Sequence, residues 1–281
     1  MKRFCALLAA LFFALPAWAL SLGSLNIEYF SLLGQNPYSS DQMATLASRI
    51  ERSSVDLIAL QEIEGRATMN YFTLRFLPQW HFAGNDTQSN QDLFFLWNSS
   101  KIELIDGPVA FYGNASFDWH GKSARLFDRP PLVATFREKA TGMTFSVVNV
   151  HLKSGSTRGK GDKQDIDARN RAKRSEQIER LNRLVTSLKG VVFIAGDYND
   201  PNPQGLAFPL ATLTKGYSYD NRKSNLDYIG YQGFRVAPGY RLSLREVEMS
   251  LPSRSRGRSE HPDHDLVILD LNFAPQKGER P

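Results

Sequence analysis

The stretch Val191-Val192-Phe193-Ile194-Ala195-Gly196-Asp197-Tyr198-Asn199-Asp200-Pro201 sets the reading of the whole chain. Five apolar, mostly β-branched or aromatic residues form a strand too hydrophobic to face water on either side. A glycine, an acid and a carboxamide then close it before a proline. The same habit recurs along the sequence. Asn26 and Glu28 follow the start of the run Leu22–Ile27, and Gln61 and Glu62 follow Val55–Leu60. Asn149 and His151 close Thr144–Val150, Asp227 lies within Leu226–Ile229, and Asp263 and His264 precede Leu266–Leu271. Further strands are expected at Leu93–Trp97, Ile102–Ile105 and Leu132–Phe136. A single polar residue at a strand end is an ordinary cap. Six with one habit predict strand ends that converge on a cleft lined by carboxylates, histidines and carboxamides.

Two helices are legible between the strands. One begins at a Ser40 or Asp41 cap and turns Met43, Leu46, Ala47 and Ile50 to one side. The other runs from about Asp167 to Leu188, with Ile178, Leu181, Leu184, Val185 and Leu188 as its apolar stripe. Helices interspersed with strands, then mostly strands, predict an α/β fold with helices outside β-sheet. The polar loops 106–130, 153–166 and 250–262 are too long for simple connections and are expected to be functional or mobile.

The first 19 residues stand apart. Lys2 and Arg3 precede an apolar run of about 12 residues, against the roughly 20 that a bilayer requires. Ala17-Trp18-Ala19 then supplies a small-residue cleavage site. These are the parts of a secretory signal peptide. The expectation is an exported protein, periplasmic or extracellular, whose mature part (residues 20–281) is a single domain without a stable membrane anchor, acting as a monomer. The one cysteine, Cys5, lies in the leader, so the mature chain has no disulfide, thiol nucleophile or cysteine zinc site.

Net charge is +5 for the full chain. The excess is concentrated: Lys153, Arg158, Lys160, Lys163, Arg169, Arg171, Lys173, Arg174, Arg180 and Arg183 fall in one segment, and Arg254, Arg256 and Arg258 in another. Such patches suit a polyanionic partner or a solvated face. Oxygen donors without cysteine suit Mg²⁺, with Mn²⁺ or Ca²⁺ as alternatives, and histidines beside them add acid–base chemistry near neutral pH. No G-x-x-x-x-G-K-[ST], H-E-x-x-H or G-x-S-x-G is present, which removes support for nucleotide-triphosphate, zincin and serine-hydrolase readings.

The ordered series Leu25-Asn26-Ile27, Leu60-Gln61-Glu62, Asn149-Val150-His151-Leu152, Gly196-Asp197-Tyr198-Asn199, Leu226-Asp227-Tyr228-Ile229 and Asp263-His264 resembles the endonuclease/exonuclease/phosphatase superfamily. The resemblance implies a four-layer sandwich, two mostly antiparallel central β-sheets flanked by helices. It also implies roles. Glu62 would be the main metal ligand, with Asn26 and Asp263 at the metal end and Glu28 at a second metal. His151 would be the acid histidine, Asp197 would orient or activate water, Asn199 would hold a phosphate oxygen, and Asp227 would fix His264. Arg129 would meet the substrate phosphate, with Asn149, Asn170 and Arg174 also on the substrate side. Gln91 and Asp92 are both candidates to orient His151. The implied activity is metal-dependent phosphodiester hydrolysis of nucleic acid, DNA ahead of RNA. A sphingomyelinase-like phospholipid or sugar-phosphate hydrolase is the alternative, and a non-catalytic nucleic-acid-binding protein is the reading from another class.

Overall fold

The computed structural model describes residues 18–34, 37–87, 89–219, 223–234, 242–252 and 260–273. Most of the proposed leader and the arginine cluster 254–258 lie outside the described residues. In chain order the elements are β1 (Trp18–Phe30), α1 (Ser40–Arg52), β2 (Leu57–Ile63), α2 (Gly65–Phe76), β3 (Trp80–Gly84), β4 (Asp92–Asn98), β5 (Ile102–Ala110), β6 (Ser116–Trp119), β7 (Lys122–Arg125), β8 (Leu132–Glu138), β9 (Thr144–His151), α3 (Lys163–Ser187), β10 (Val191–Asp197), β11 (Leu210–Leu213), β12 (Asp227–Gln232), β13 (Ser243–Val247), β14 (Leu251–Pro252), β15 (Glu260–His261) and β16 (Leu266–Phe273).

The fold is α/β, with a large mixed sheet and few helices. Twelve strands hydrogen-bond in the order β3-β4-β2-β1-β16-β13-β11-β12-β10-β9-β8-β5. The resemblance implies two central sheets; here their strands hydrogen-bond along one continuous ladder. The join is β11, which pairs antiparallel with β12 and parallel with β13. Its Leu-Ala-Thr-Leu is too short and too mixed to announce a strand on its own.

Three apolar clusters explain why these segments pack. The middle one gathers Leu22, Leu57, Phe95 and Trp97 from one half of the ladder with Phe136, Phe145, Val147 and Phe193 from the other. Phe95 and Phe136 meet edge to face at 5.4 Å, an arrangement that adds to simple area burial. A second cluster puts Met43, Leu46 and Ile50 of α1 and Met69 and Phe72 of α2 against Ile58, Leu60 and Ile268. The third puts Ile178, Leu181, Leu184 and Val185 of α3 against Val148, Val150 and Ile194. Strands buried on both faces must be apolar throughout, which is why their sequences run rather than alternate.

Helix ends follow local chemistry. The α1 cap is Ser39, one residue before the expected position: its side chain accepts from the Gln42 amide while the Gln42 side chain accepts from the Ser39 amide. Helix α3 starts at Lys163 behind an Asp162 cap, a turn earlier than its apolar stripe suggested. Its non-stripe side is only partly solvated, since Asn170, Lys173, Arg174 and Gln177 are buried. Helix α2 was not visible as an apolar period. Loop 106–130 includes the end of β5 and the β6–β7 hairpin. Among the described residues, no helix is long and apolar enough to cross a membrane.

Candidate active site

Strand register assembles the site. Asp197 closes β10 level with His151 of parallel β9 and Asp227 of antiparallel β12. From the other half, Asn26 of β1 stands level with Gln61 of β2. Beyond that pair the ladder is irregular, and Glu28, Tyr29 and Glu62 take left-handed φ values of 37°, 52° and 60°. Such bulges re-aim side chains at a strand end, and a non-glycine residue there costs of order 1–3 kcal/mol and persists only where its surroundings hold it. Here they do: the Glu28 amide donates to Asn26 Oδ1 at 3.0 Å and the Tyr29 amide to Glu62 Oε2 at 3.3 Å.

The focus is Asp197, 1% exposed. Its Oδ2 accepts from Asn26 Nδ2 at 3.1 Å and from Asn199 Nδ2 at 3.2 Å. His151 Nε2 lies 3.5 Å and His264 Nε2 3.9 Å from the same oxygen. Oδ1 accepts the Asn199 backbone amide at 2.7 Å, allowed by a left-handed φ of 53° at Asn199. Asn26 Nδ2 also reaches Glu62 Oε1 at 3.2 Å. His264 Nδ1 meets Asp227 Oδ2 at 2.7 Å, and its Nε2 lies 3.9 Å from Asp263 Oδ1. Asp227 is itself held in place, because Ser218 Oγ accepts both the Leu226 and Asp227 amides.

The electrostatics divide the two histidines. Burial alone would lower His264, but the Asp227 carboxylate overrides it by charge and hydrogen bond. With Asp197 and Asp263 adding to this, the imidazole is pushed up to about 10. His151 goes the other way: burial, with Arg129, His264 and Lys153 nearby, holds it well below its ordinary value. Asp197 is pushed up to about 7 by burial, with Asp227 adding, against the pull of His264, the Asn199 amide and Asn26. Burial also raises Glu62, opposed by Asn26, Arg129 and His264 and helped by Asp263.

Among the described residues, no three His, Cys, Asp or Glu side chains form a ready metal cage. The more open Asp263 nevertheless acts by its charge on Glu62, to which the Asn26 carboxamide donates. Two carboxylates and a carboxamide oxygen are hard donors that fit Mg²⁺ or a similar cation, which takes few protein ligands and keeps much of its water.

Several expected residues stand elsewhere. Glu28, expected at a second metal, pairs with His261 Nδ1 at 2.9 Å. Asn149, expected on the substrate side, is fully buried: Nδ2 donates to the Leu60 and Phe94 carbonyls at 2.9 Å each, and Oδ1 accepts from Gln61 Nε2 at 2.8 Å. It bridges the two halves of the ladder, since both carbonyls lie across the core. Asn170 and Arg174 are also turned inward. They donate to the Ser156 and Lys153 carbonyls at 2.9 and 2.8 Å and so fix the basic loop after His151. Neither Gln91 nor Asp92 orients His151. Gln91 Oε1 accepts from Arg129 Nη1 at 3.0 Å, Asp92 is held by Thr87, and His151 Nδ1 has no hydrogen-bond partner. Arg129 reaches the site: Nη2 donates to the Leu152 carbonyl at 3.2 Å, and its charge bears on Glu62, Asp197 and His151. Ser218 and His261 went unnoticed in the sequence. No local pattern marks Ser218, whereas His261 sits three residues before His264 and could have been considered with it.

The family model of the Endonuclease/Exonuclease/phosphatase family matches residues 23–268. No curated protein sequence matches the chain. Among solved structures, humanized D. rerio TDP2 with 14 mutations is 18% identical, with a TM-score of 0.63 over 91% of this chain and 99% of that one. D. rerio TDP2 complexed with single strand DNA product gives 16% and 0.62 over the same shares. A Bacteroides thetaiotaomicron mannosyl-6-phosphatase gives 15% and 0.60, covering 90% of this chain and 100% of that one. Identities this low speak for the fold alone, while the family model spans most of the chain. The chain belongs to the Endonuclease/Exonuclease/phosphatase family, whose members are phosphodiesterases and phosphatases that generally work with divalent metal ions.

Proposed function

We propose that the protein is an exported, metal-dependent phosphodiesterase that hydrolyses nucleic acid, DNA ahead of RNA, by in-line attack of an activated water. The observation that carries this reading is the convergence of Asn26, Asn199, His151 and His264 on one oxygen of Asp197. A carboxylate at about 7 is balanced to take a proton from water near neutral pH while the two carboxamides hold its orientation. His264, charged at that pH and held at Nδ1 by Asp227, presents Nε2–H to the phosphoryl oxygen that gains charge. His151 is neutral. Its Nε2, facing carboxylates, is assigned the proton, which leaves Nδ1 as the bare, buried nitrogen without a hydrogen-bond partner. Nε2–H is then a second donor, to a phosphate oxygen or to the leaving group.

Glu62, Asp263 and Asn26 are the residues that would hold Mg²⁺, or Mn²⁺ or Ca²⁺, which supplies Lewis-acid polarisation of the phosphate when bound. In this reading the two halves of the ladder stack face to face with α1 and α2 outside one and α3 outside the other, a four-layer sandwich whose strand ends open on the site.

Nucleic acid is favoured over other phosphodiesters by the cationic approach. Loop 153–162 leaves directly from His151 and exposes Arg158 and Lys160, with Lys163, Arg169 and Arg171 of α3 beside it. Phosphate backbones are held by such side chains without sequence readout. The D. rerio relative with its single-strand DNA product adds to this reading. The mannosyl-6-phosphatase of the same fold favours a sugar-phosphate substrate as the second reading. Export rests on the leader pattern of residues 1–19, and the processed protein is taken as a monomer without a stable membrane anchor.

The test is one metal panel on supercoiled DNA, RNA, sphingomyelin and mannose 6-phosphate. DNA cleavage abolished by EDTA and restored by Mg²⁺ or Mn²⁺ is expected. Turnover of the lipid or the sugar phosphate with intact DNA and RNA would establish the alternative.

A further inference from the structure

We propose that Glu28 and His261 form a buried clasp that positions Asp263 and His264 against Asn26 and Glu62; the role rests on the site reading above. The two side chains, each 4% exposed, meet at 2.9 Å across 233 residues of sequence. His261 also stacks on Tyr38, ring centroids 3.9 Å apart at 29°, and the Tyr38 hydroxyl donates to the Ile27 carbonyl at 2.9 Å. The imidazole is thus gripped on an edge by a carboxylate and on a face by an aromatic ring, both anchored to β1 and the turn that follows it.

The position of the clasp gives it meaning. Glu28 lies in the left-handed turn whose amides hold Asn26 Oδ1 and Glu62 Oε2. His261 lies two residues before Asp263 and three before His264. One short bond therefore ties the turn that aims Asn26 and Glu62 to the segment that delivers Asp263 and His264. The β14–β15 ladder just ahead is only two residues long. A buried carboxylate–imidazole pair is a poor way to add stability, since an apolar pair of equal volume fills the same space without desolvating charge. A directional hydrogen bond does what packing cannot, by fixing one orientation. Glu28 is accordingly a positioning residue, with one carboxylate oxygen committed to His261 rather than to a second metal.

The test uses Glu28→Ala, Glu28→Gln, His261→Phe and the double variant Glu28→Ala/His261→Phe. Mn²⁺ affinity is read by calorimetry, kcat and KM on DNA by nicking, folding by thermal unfolding, and the His264 ring by ¹H–¹⁵N NMR. Phenylalanine keeps the stack on Tyr38, and glutamine keeps an oxygen that accepts from Nδ1–H, so these two decide the matter if Glu28→Ala fails to fold. Glu28→Ala and His261→Phe are each expected to weaken Mn²⁺ binding by about 10–100-fold and to lower kcat with little change in KM, as loss of a ligand-orienting partner does. The double variant should lose no more than the worse single one, because the pair acts as a unit. Glu28→Gln should recover most of the loss.

If His261→Phe keeps or improves Mn²⁺ affinity while Glu28→Ala loses it, Glu28 is a direct ligand and the clasp is wrong. Unchanged Mn²⁺ affinity and His264 resonances in both single variants would reduce the pair to packing. Should the parent protein cleave no phosphodiester, the function proposed above falls, and the Mn²⁺ and NMR readings still decide the clasp.

Discussion

Replacing Asp227 with asparagine tests the electrostatic core of the site. The substitution keeps an oxygen able to accept from His264 Nδ1, at 2.7 Å in the parent, and removes only the charge. His264 sits at about 10 against an ordinary 6.5. At ~1.36 kcal/mol per tenfold, that gap is about 5 kcal/mol of preference for the imidazolium. Asp227 is the largest of the three carboxylates that raise it, ahead of Asp197 and Asp263. One opposite charge at this range moves a pKa by roughly 1–3 pH units, so His264 in Asp227→Asn should titrate about two pH units lower.

The stability sign follows. With the folded value above the unfolded one, the contribution of this pairing is complete below 6.5 and is lost as pH rises through about 10. Asp227→Asn moves that loss to lower pH. The rate should fall by about 10²–10⁴-fold, the usual reach of a positioned acid–base group, and its alkaline limb should shift by the same two pH units or so. NMR titration of the His264 ring and plasmid nicking from acid to alkaline pH measure both. A variant in which His264 titrates as in the parent, or whose kcat stays within about threefold, would refute the reasoning that Asp227 charges His264 for catalysis.

Asp197→Asn should abolish nicking and yet raise the melting temperature above neutral pH. Asp197 is held up at about 7 from 3.8, so its ionisation withdraws stability as pH rises through that window; a lower melting temperature at alkaline pH would count against this. Asn149→Ala removes the side-chain donor to the buried Leu60 and Phe94 carbonyls and one of the two acceptors of Gln61 Nε2, and urea unfolding should show a loss of about 2–4 kcal/mol. A loss under about 1 kcal/mol would show that the bridge is dispensable. Arg158→Ala/Lys160→Ala should weaken DNA binding for all sequences alike and flatten its salt dependence by nearly two in logarithmic slope; an unchanged slope would remove the basic loop from the interface.

What the sequence determined by itself is which polar groups close the apolar strands and their order along the chain. Polar residues stop apolar strands because a strand buried on both faces must be apolar until it emerges, and that rule is local. It located Asn26, Glu62, His151, Asp197, Asp227 and His264 without coordinates. The Asp197–His151 and Asp197–Asp227 registers, the single ladder closed through β11 and the inward turn of Asn149, Asn170 and Arg174 were decided only by tertiary structure. A carboxamide at a strand end reads alike in sequence whether it faces solvent or a carbonyl on the opposite side of a core. Glu28 is the sharpest case. The family resemblance suggested a metal ligand, but its partner is a histidine 233 residues away. That pairing follows from β16 lying antiparallel beside β1, and no local pattern encodes it.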